Sequence, residues 1–560
     1  MLFTEIVLAI VLASLLGILM TLLKQPSVLG YILAGAIIGI FGFVGPESLE
    51  VISSLASIGI AFLLFMVGLE MNLEKIRHLG KDIILLGTLQ TVFVVILGFF
   101  LSRFLGFGPI PSIYIAFSLS FSSTIIIVKL LSEKKELNSL YGRLVVGCMI
   151  FEDFLAILMI IFLEGVGASA GTGNFGGDFA ITVLKGIGLF LGTIFLSRLM
   201  PKVLDYFGSK SETLFLFSLA WGLGIAALMD LPIIGLGIVV GGFLAGLSLA
   251  SSAERYGISG KIRWIRDLFV LLFFVWLGSQ MNLNLNGEIL LRAGIFSAFV
   301  LFVCPIISMF VVSALGYKSR TAFFVGLTAA QISEFSLVVA MKGFELGHLS
   351  QNDVSVMVIV AVTTIIGSSY YVMHGEKLYA LFKKPLKALE FRKTRESAAT
   401  GSVEGYKDHI ILIGGHRLGE NIVKSLIEIG EDFVVIDFDP QIVHSLKDQG
   451  LSVIYGDIAE DDVREAAGFQ NARLVISTAP LFEDNIVVLD TARRSNPKAQ
   501  IILRAESDAD AKALYDRGAD YVISPYFLGG EYLGKILGED KSCRKLEAVK
   551  KKDIELLSSR

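Results

Sequence analysis

The chain has 560 residues, of which 54% are hydrophobic, and its formal net charge is −4. A water-soluble protein needs more polar surface than this composition provides, so the sequence excludes an ordinary soluble enzyme. The slightly acidic balance also argues against nucleic acid as a partner.

The charged side chains are unevenly distributed along the chain. Residues 1–374 hold 42 of the 100 Asp, Glu, Lys and Arg residues, and the 186 residues after them hold the other 58. We therefore expect a membrane domain over residues 1–376, a linker over 377–406, a soluble domain over 407–540 and a charged tail over 541–560.

Stretches of about 20 apolar residues, long enough to cross a bilayer as helices, recur through the first domain. We count thirteen, near 2–22, 27–44, 53–71, 82–105, 111–131, 141–164, 179–200, 212–229, 233–250, 266–281, 289–315, 319–341 and 352–374. The first lacks a charged region before it and a cleavage pattern after it, so we expect it to be retained. The predicted fold is a polytopic α-helical membrane protein followed by an α/β Rossmann-like domain.

The basic residues predict an orientation for these spans. Loops after odd-numbered spans carry Lys and Arg, whereas loops after even-numbered spans, such as 45–52 and 165–178, nearly lack them. Cytoplasmic loops carry the excess of basic residues. The alternation predicts an external N-terminus, a cytoplasmic C-terminal domain and, as the location, the plasma membrane.

Two patterns recur in the same order and predict an inverted repeat. Span two contains Gly30, Gly35 and Gly39, and span nine contains Gly237, Gly242 and Gly246 at the same intervals. Span three ends GLEMNL from Gly68, and span ten ends GSQMNL from Gly278. The offsets, 207 and 210 residues, correspond to seven spans, so the two copies would cross the membrane in opposite directions. The alternative is that these glycines only allow close helix packing.

Three acidic residues fall inside predicted spans, where an ionisable side chain is costly and therefore a functional candidate. Glu152 and Asp153 lie in the middle of span six, and Glu334 lies in the middle of span twelve. Adjacent helix positions differ by about 100°, so Glu152 and Asp153 cannot face the same way. We expect one to face a cavity and the other to meet a partner such as Lys129. A structural role for Glu334 and an interfacial position for Lys129 are the alternatives.

Polar residues cluster in span five and in its predicted repeat mate, span twelve. The candidates are Ser122, Ser123 and Thr124 in the former and Gln331, Ser333 and Glu334 in the latter. Helices interrupted near the bilayer midplane expose carbonyls and helix ends that suit a dehydrated cation. Hydroxyl oxygens are hard ligands for Na⁺ or K⁺. Competition between cation and proton for one carboxylate would give exchange, whereas the serines alone are also compatible with helix packing.

The C-terminal domain begins with a strand, a glycine turn, a helix and a second strand, the order of a dinucleotide-binding fold. The turn comprises Gly414, Gly415, His416, Arg417, Leu418 and Gly419. Asp437 and Asp457 end the next two strands, so a phosphate would meet the helix N-terminus and Asp437 the ribose. His416 replaces the middle glycine and would crowd a pyrophosphate. AMP, ADP or ATP is therefore as plausible a ligand as NAD(H).

Taken together, these motifs resemble the Kef-type monovalent cation/proton antiporters of the CPA2 superfamily. The motifs are SSTIIIVKLLSE, EDFLAI, QISEF and GGFLAG, followed by the glycine-turn domain. The resemblance implies a dimerisation bundle, a six-helix transport core and a regulatory domain of the RCK/TrkA-N type. It also implies that Asp153 carries cation and proton and that Arg417 and Arg504 are regulatory. Glu152 stands where glutathione-gated members have glutamine and many sodium antiporters have aspartate or asparagine, which leaves the stoichiometry open.

We expect antiport of a monovalent cation, with K⁺ favoured, against protons, under control of a nucleotide. Na⁺/H⁺ exchange on the same scaffold is the first alternative, and Glu152 gives it some support. A membrane-anchored oxidoreductase is remote, because the tail has room for one Rossmann unit and shows no substrate domain. The expected partners are K⁺ or Na⁺, H⁺, a nucleotide, the bilayer and a second copy of the chain, joined through both domains.

Overall fold

The computed structural model describes most of the chain, which divides into two compact units, Met1–Phe391 and Arg392–Arg560. The described residues are 2–70, 81–134, 136, 139–169, scattered positions within 184–204, 211–231, 234–252, 254–281, 287–386, 407–416, 418–458, 461–539, 546 and 550.

The first unit is helical throughout its described part. Its helices are α1 Leu2–Leu22, α2 Ser27–Phe41, α3 Pro46–Glu70, α4 Lys81–Phe104, α5 Pro109–Ser118, α6 Thr124–Glu133, α7 Leu140–Ser169, α8 Ser211–Asp230, α9 Gly237–Leu249, α10 Arg255–Ser279, α11 Gly287–Ala298, α12 Cys304–Ala314, α13 Ser319–Thr328, α14 Glu334–Glu345, α15 Gln351–Met373 and α16 Gly375–Leu386. A π-helical turn, Phe299–Val303, joins α11 to α12. Pro305 follows it, and a proline cannot donate the regular helical hydrogen bond.

Within the described residues, six helical segments are long and apolar enough to cross a bilayer. They are Leu2–Leu22, Pro46–Leu69, Lys81–Phe104, Glu212–Asp230, Gly287–Ala314 and Gln351–Met373. Predicted span seven falls largely outside the described residues. The count of thirteen therefore stays a prediction, while a membrane unit built from apolar helices is established.

Predicted spans five and twelve are each broken into two half-helices. The first break separates α5 from α6 at residues 119–123, and the second separates α13 from α14 at residues 329–333. A serine with extended backbone ends each break and caps the next half-helix. Ser123 accepts from the Ile126 amide at 3.4 Å, and Ser333 accepts from the Phe335 amide at 3.1 Å. Serine at an N-cap stabilises a new helix start, which explains why an apolar span is interrupted here.

Glycines let two helix pairs pack backbone against backbone. A Cβ atom on Gly278 of α10 would lie 2.2 Å from the Ile32 carbonyl oxygen of α2. In the second pair, a Cβ atom on Gly68 of α3 would lie 2.2 Å from the Phe243 carbonyl oxygen of α9. No larger residue fits at either position without moving the helices apart.

Two helices extend beyond the limits that hydropathy predicted. α10 begins at Arg255, so Arg255, Lys261 and Arg263 lie on its first turns and not in a loop. α16 occupies Gly375–Leu386, where the linker was expected to begin. Hydropathy marks the apolar part of a helix, and a helix continues past that part wherever its own hydrogen bonds remain satisfied.

The second unit holds a six-stranded parallel sheet. Its strands are β1 His409–Ile413, β2 Phe433–Asp437, β3 Val453–Tyr455, β4 Ala472–Ser477, β5 Gln500–Arg504 and β6 Tyr521–Ile523. The helices are α17 Leu418–Glu428, α18 Pro440–Asp448, α19 Asp461–Ala466, α20 Phe482–Ser495, α21 Asp508–Asp516 and α22 Pro525–Glu539. The strand order β3-β2-β1-β4-β5-β6 reverses at β1, which places the loop after β1 at the usual ligand position of this fold.

Candidate functional site

The two helix breaks of the membrane unit lie directly against each other. The backbone amide of Ser333 donates to the Phe121 carbonyl oxygen at 2.9 Å. The Ser118 hydroxyl donates to the Ser336 carbonyl oxygen at 3.1 Å, and the Gln331 amide nitrogen to the Ser123 carbonyl oxygen at 3.5 Å. Four half-helix ends therefore meet inside the bundle, and helix ends carry partial charges that suit ions.

Asp153 contacts this crossing through the first residue of α6. Its side chain lies on α7 and is 7% exposed. The Thr124 hydroxyl donates to Asp153 Oδ2 at 2.9 Å. The carboxylate is thus held beside the N-terminus of a half-helix, where the positive end of the helix dipole stabilises negative charge.

Glu334 reaches the same half-helix end from the other break. It is the first residue of α14, and its Oε2 accepts from the Ser123 hydroxyl at 2.8 Å. Ser123 and Thr124 are consecutive, so adjacent hydroxyls bind one carboxylate from each half of the unit. The sequence prediction placed these four side chains in one site, and the structure brings them together.

Glu152 is engaged elsewhere, in a fully buried hydrogen-bond network. Its Oε1 accepts from Gln90 Nε2 at 2.8 Å, and its Oε2 accepts from the Ser122 backbone amide at 3.1 Å. The Ser308 hydroxyl donates to Gln90 Oε1 at 2.8 Å. The expected partner of the second acid is therefore an amide pair, and Glu152 ties α4 and α7 to the first break.

The second break is braced by residues of α15. The Ile332 amide donates to the Thr364 hydroxyl oxygen at 3.4 Å, and the Ser368 hydroxyl donates to Gln331 Oε1 at 2.8 Å. Lys129, in contrast, is exposed, five residues after Thr124 and about 7.5 Å along the helix axis.

Sequence reasoning missed four residues of this site: Gln90, Ser308, Thr364 and Ser368. A polar side chain inside an apolar span was the available signal for each of them. Gln90 was the clearest case, because a primary amide in the middle of a span requires partners.

In the second unit, the glycine turn and Asp437 form one hydrogen-bonded corner. The Gly415 amide donates to Asp437 Oδ2 at 2.7 Å, and the Asp439 amide donates to Asp437 Oδ1 at 2.8 Å. A Cβ atom on Gly419 would lie 1.9 Å from the Gly414 carbonyl oxygen, so only glycine lets α17 start this close to the turn.

The remaining predicted nucleotide contacts follow the carboxyl ends of neighbouring strands. His416 is exposed beside Leu418, which begins α17, and Asp457 is half-buried after β3. Arg504 ends β5, donates to the Thr478 carbonyl oxygen at 3.2 Å and pairs with Glu506. Arg417 lies outside the described residues. The turn, the helix start and the acid at the end of β2 fit a nucleotide in donor type and placement.

Comparisons with known proteins match both units. The family model described as sodium/hydrogen exchanger, transmembrane, matches residues 9–372, and the TrkA-N domain model matches residues 410–525. YbaL of Escherichia coli strain K12, assigned as a cation/proton antiporter, is 29% identical over 541 residues, covering 93% of this chain and 94% of YbaL.

Two further matches concern a potassium-efflux protein and a solved antiporter. The glutathione-regulated potassium-efflux system protein KefC of Shigella flexneri is 26% identical over 536 residues, covering 94% of this chain and 83% of KefC. The sodium proton antiporter MjNhaP1 from Methanocaldococcus jannaschii superposes with a TM-score of 0.52 at 15% identity. That match covers 68% of this chain and 98% of MjNhaP1, and it is a likeness of fold.

Proposed function

This chain belongs to the sodium/hydrogen exchanger family as a Kef-type cation/proton antiporter with a C-terminal TrkA-N domain, and we propose that it exchanges K⁺ for H⁺ at Asp153. The observation that carries the proposal is the hydrogen bond between Asp153 and Thr124 beside the two crossed helix breaks. K⁺ is favoured over Na⁺ because the printed name of KefC is that of a potassium-efflux protein.

Exchange follows from the position of one carboxylate in a low-dielectric bundle. Negative charge on Asp153 is costly there unless a cation or a proton neutralises it. Carbonyl and hydroxyl oxygens at the breaks supply hard ligands for the cation. Because cation and proton compete for Asp153, neither has to be carried in the presence of the other.

We infer a stoichiometry of one cation per proton. Both carboxylate oxygens of Glu152 already accept hydrogen bonds from Gln90 and Ser122, so Glu152 holds the break and does not carry the ion. At the second break the neutral Thr364 takes the corresponding position opposite the Ile332 amide. A single carrier carboxylate makes the exchange electroneutral.

We also propose the inverted repeat, for which helix bounds and glycine contacts offer support. Helices α5 Pro109–Ser118 and α13 Ser319–Thr328 have bounds that differ by 210 residues at both ends. Gly35 lies on Gly278, and Gly246 lies against α3 near Gly68. These contacts pair Gly35 with Gly246, an offset of 211, so the repeat register differs from the predicted 207 by one helical turn.

Regulation by a nucleotide and assembly as a homodimer complete the proposal. The corner formed by Gly415 and Asp437, next to the start of α17, supports a ribose and phosphate site in the second unit. Either NAD(H) or an adenine mononucleotide fits this chemistry. The predicted orientation places this unit in the cytoplasm and the N-terminus outside.

The test is a proton-flux assay in proteoliposomes with K⁺, Na⁺, Li⁺ or choline outside. We expect the largest proton movement with K⁺, none with choline, and no current on a solid-supported membrane. The Asp153→Asn variant should show no cation-driven proton movement. Exchange retained by that variant would exclude Asp153 as carrier, and a larger response to Na⁺ would replace K⁺ by the sodium alternative.

A further inference from the structure

We propose that α16 is a membrane-surface helix whose outer side binds anionic lipid headgroups of the cytoplasmic leaflet. The proposal rests on the cytoplasmic placement of the chain's C-terminal half given above. It concerns a surface that the exchange mechanism does not use, formed by Lys377, Leu381, Phe382 and Lys384.

The inner side of α16 is fastened to the half-helix α13. Glu376 forms an ion pair with Arg320, and the Tyr379 ring lies 5.6 Å from the Phe323 ring and 6.1 Å from the Phe324 ring. The Arg320 guanidinium also lies over the Phe324 ring, 5.1 Å from its centroid. The position of α16 relative to α13 is therefore set by both charge and aromatic packing.

These contacts also set how far α16 reaches. A Cβ atom on Gly375 would lie 2.8 Å from Phe324 and 3.5 Å from Leu327, whereas Tyr379 lies beside Phe323 and Phe324. From its first residue onward, α16 thus runs along α13 toward the N-terminal end of α13. The next turn of α16 reaches the level at which α13 begins, which is the membrane surface.

At that level α16 exposes two large apolar side chains between basic ones. Leu381 is 72% exposed and Phe382 is 46% exposed, while Lys377 and Lys384 are exposed on the same helix. Exposed Leu and Phe flanked by Lys are typical of helices that lie in the interface of an anionic membrane. The lysine stems can cover the apolar rings while the ammonium groups reach lipid phosphates.

Site-directed spin labelling on the full-length protein tests this placement. A label is placed at Leu381→Cys in a Cys543→Ser background, since Cys148 and Cys304 are buried. Ala380→Cys is the matched control, because its side chain is exposed and points about 100° away from that of Leu381. Collision with oxygen reports lipid, and collision with a water-soluble nickel complex reports water.

In vesicles containing phosphatidylglycerol, we expect the label at 381 to collide with oxygen and to be shielded from nickel, and the label at 380 to show the reverse. Equal nickel collision at both positions would overturn the proposal. So would shielding of position 381 from both reagents, which would indicate a protein contact. Because no transport is measured, the result is independent of whether Asp153 carries the ion.

The charge requirement is tested by titrating phosphatidylglycerol into phosphatidylcholine vesicles. The K377Q/K384Q variant should lower the ratio of shielded to unshielded label at 381 about fivefold for each lysine removed. The K498Q/K512Q variant, which removes two exposed lysines of the second unit, is the charge-matched control and should leave the ratio unchanged. An equal effect of both variants, or of neither, would contradict headgroup binding by α16.

Discussion

Replacing Glu152 with leucine should destabilise the membrane unit more than it alters any single contact with the ion. The substitution removes the acceptor for two buried donors, Gln90 Nε2 and the Ser122 amide. A buried donor left without a partner costs about 1–3 kcal/mol, so the pair predicts a loss of about 2–6 kcal/mol. The lower end is favoured because hydrogen bonds inside membrane proteins average about 0.6 kcal/mol.

Glutamine at the same position is the matched control, because the network can invert to receive it. The new carboxamide oxygen would accept from the Ser122 amide, and its nitrogen would donate to Gln90 Oε1 after the Gln90 amide turns over. Gln90 Nε2 would then donate to the Ser308 hydroxyl oxygen, which accepts as readily as it donates. Glu152→Gln should therefore keep most of the stability and retain electroneutral exchange.

Equilibrium unfolding in mixed detergent micelles measures both variants against the unaltered protein, and proteoliposome flux measures their exchange. A leucine variant as stable as the unaltered chain would refute the bracing role of Glu152. A glutamine variant that folds normally but loses exchange would show instead that Glu152 takes part in carrying the ion.

Three other outcomes follow from the structure. Thr124→Val removes the hydroxyl that donates to Asp153 and should raise the K⁺ concentration for half-maximal flux about tenfold, since a hydrogen bond to a charged group contributes about 1.5 kcal/mol or more; an unchanged value would contradict the orienting role of Thr124. Asp437→Ala should weaken nucleotide binding to the full-length protein about tenfold by calorimetry, whereas Glu428→Ala, an exposed acid on α17, should not; equal affinities in the two variants would exclude the ribose contact. A chain ending at residue 390 should still exchange ions but no longer respond to nucleotide, and a persisting response would place the nucleotide site in the membrane unit.

Much of the carrier site was predictable because its members are polar residues in apolar surroundings. Asp153, Glu334 and Ser123 each violate the hydrophobic pattern of their span, and such a violation is tolerated only where partners exist. The Kef-type resemblance drawn from the motifs is confirmed by the family and domain matches. Periodicity gave no information on which of Glu152 and Asp153 faces the crossing, because that depends on helices distant in sequence.

The sequence by itself determined the class of the protein: apolar spans require a bilayer, and the glycine turn followed by Asp437 requires a Rossmann-like unit. Only the tertiary structure decided that the breaks at residues 119–123 and 329–333 touch, so that Ser123 and Thr124 bind carboxylates from opposite halves. The physical reason is range. Hydropathy and capping are local properties of the chain, whereas the partner of a buried charge is set by packing between segments more than 200 residues apart.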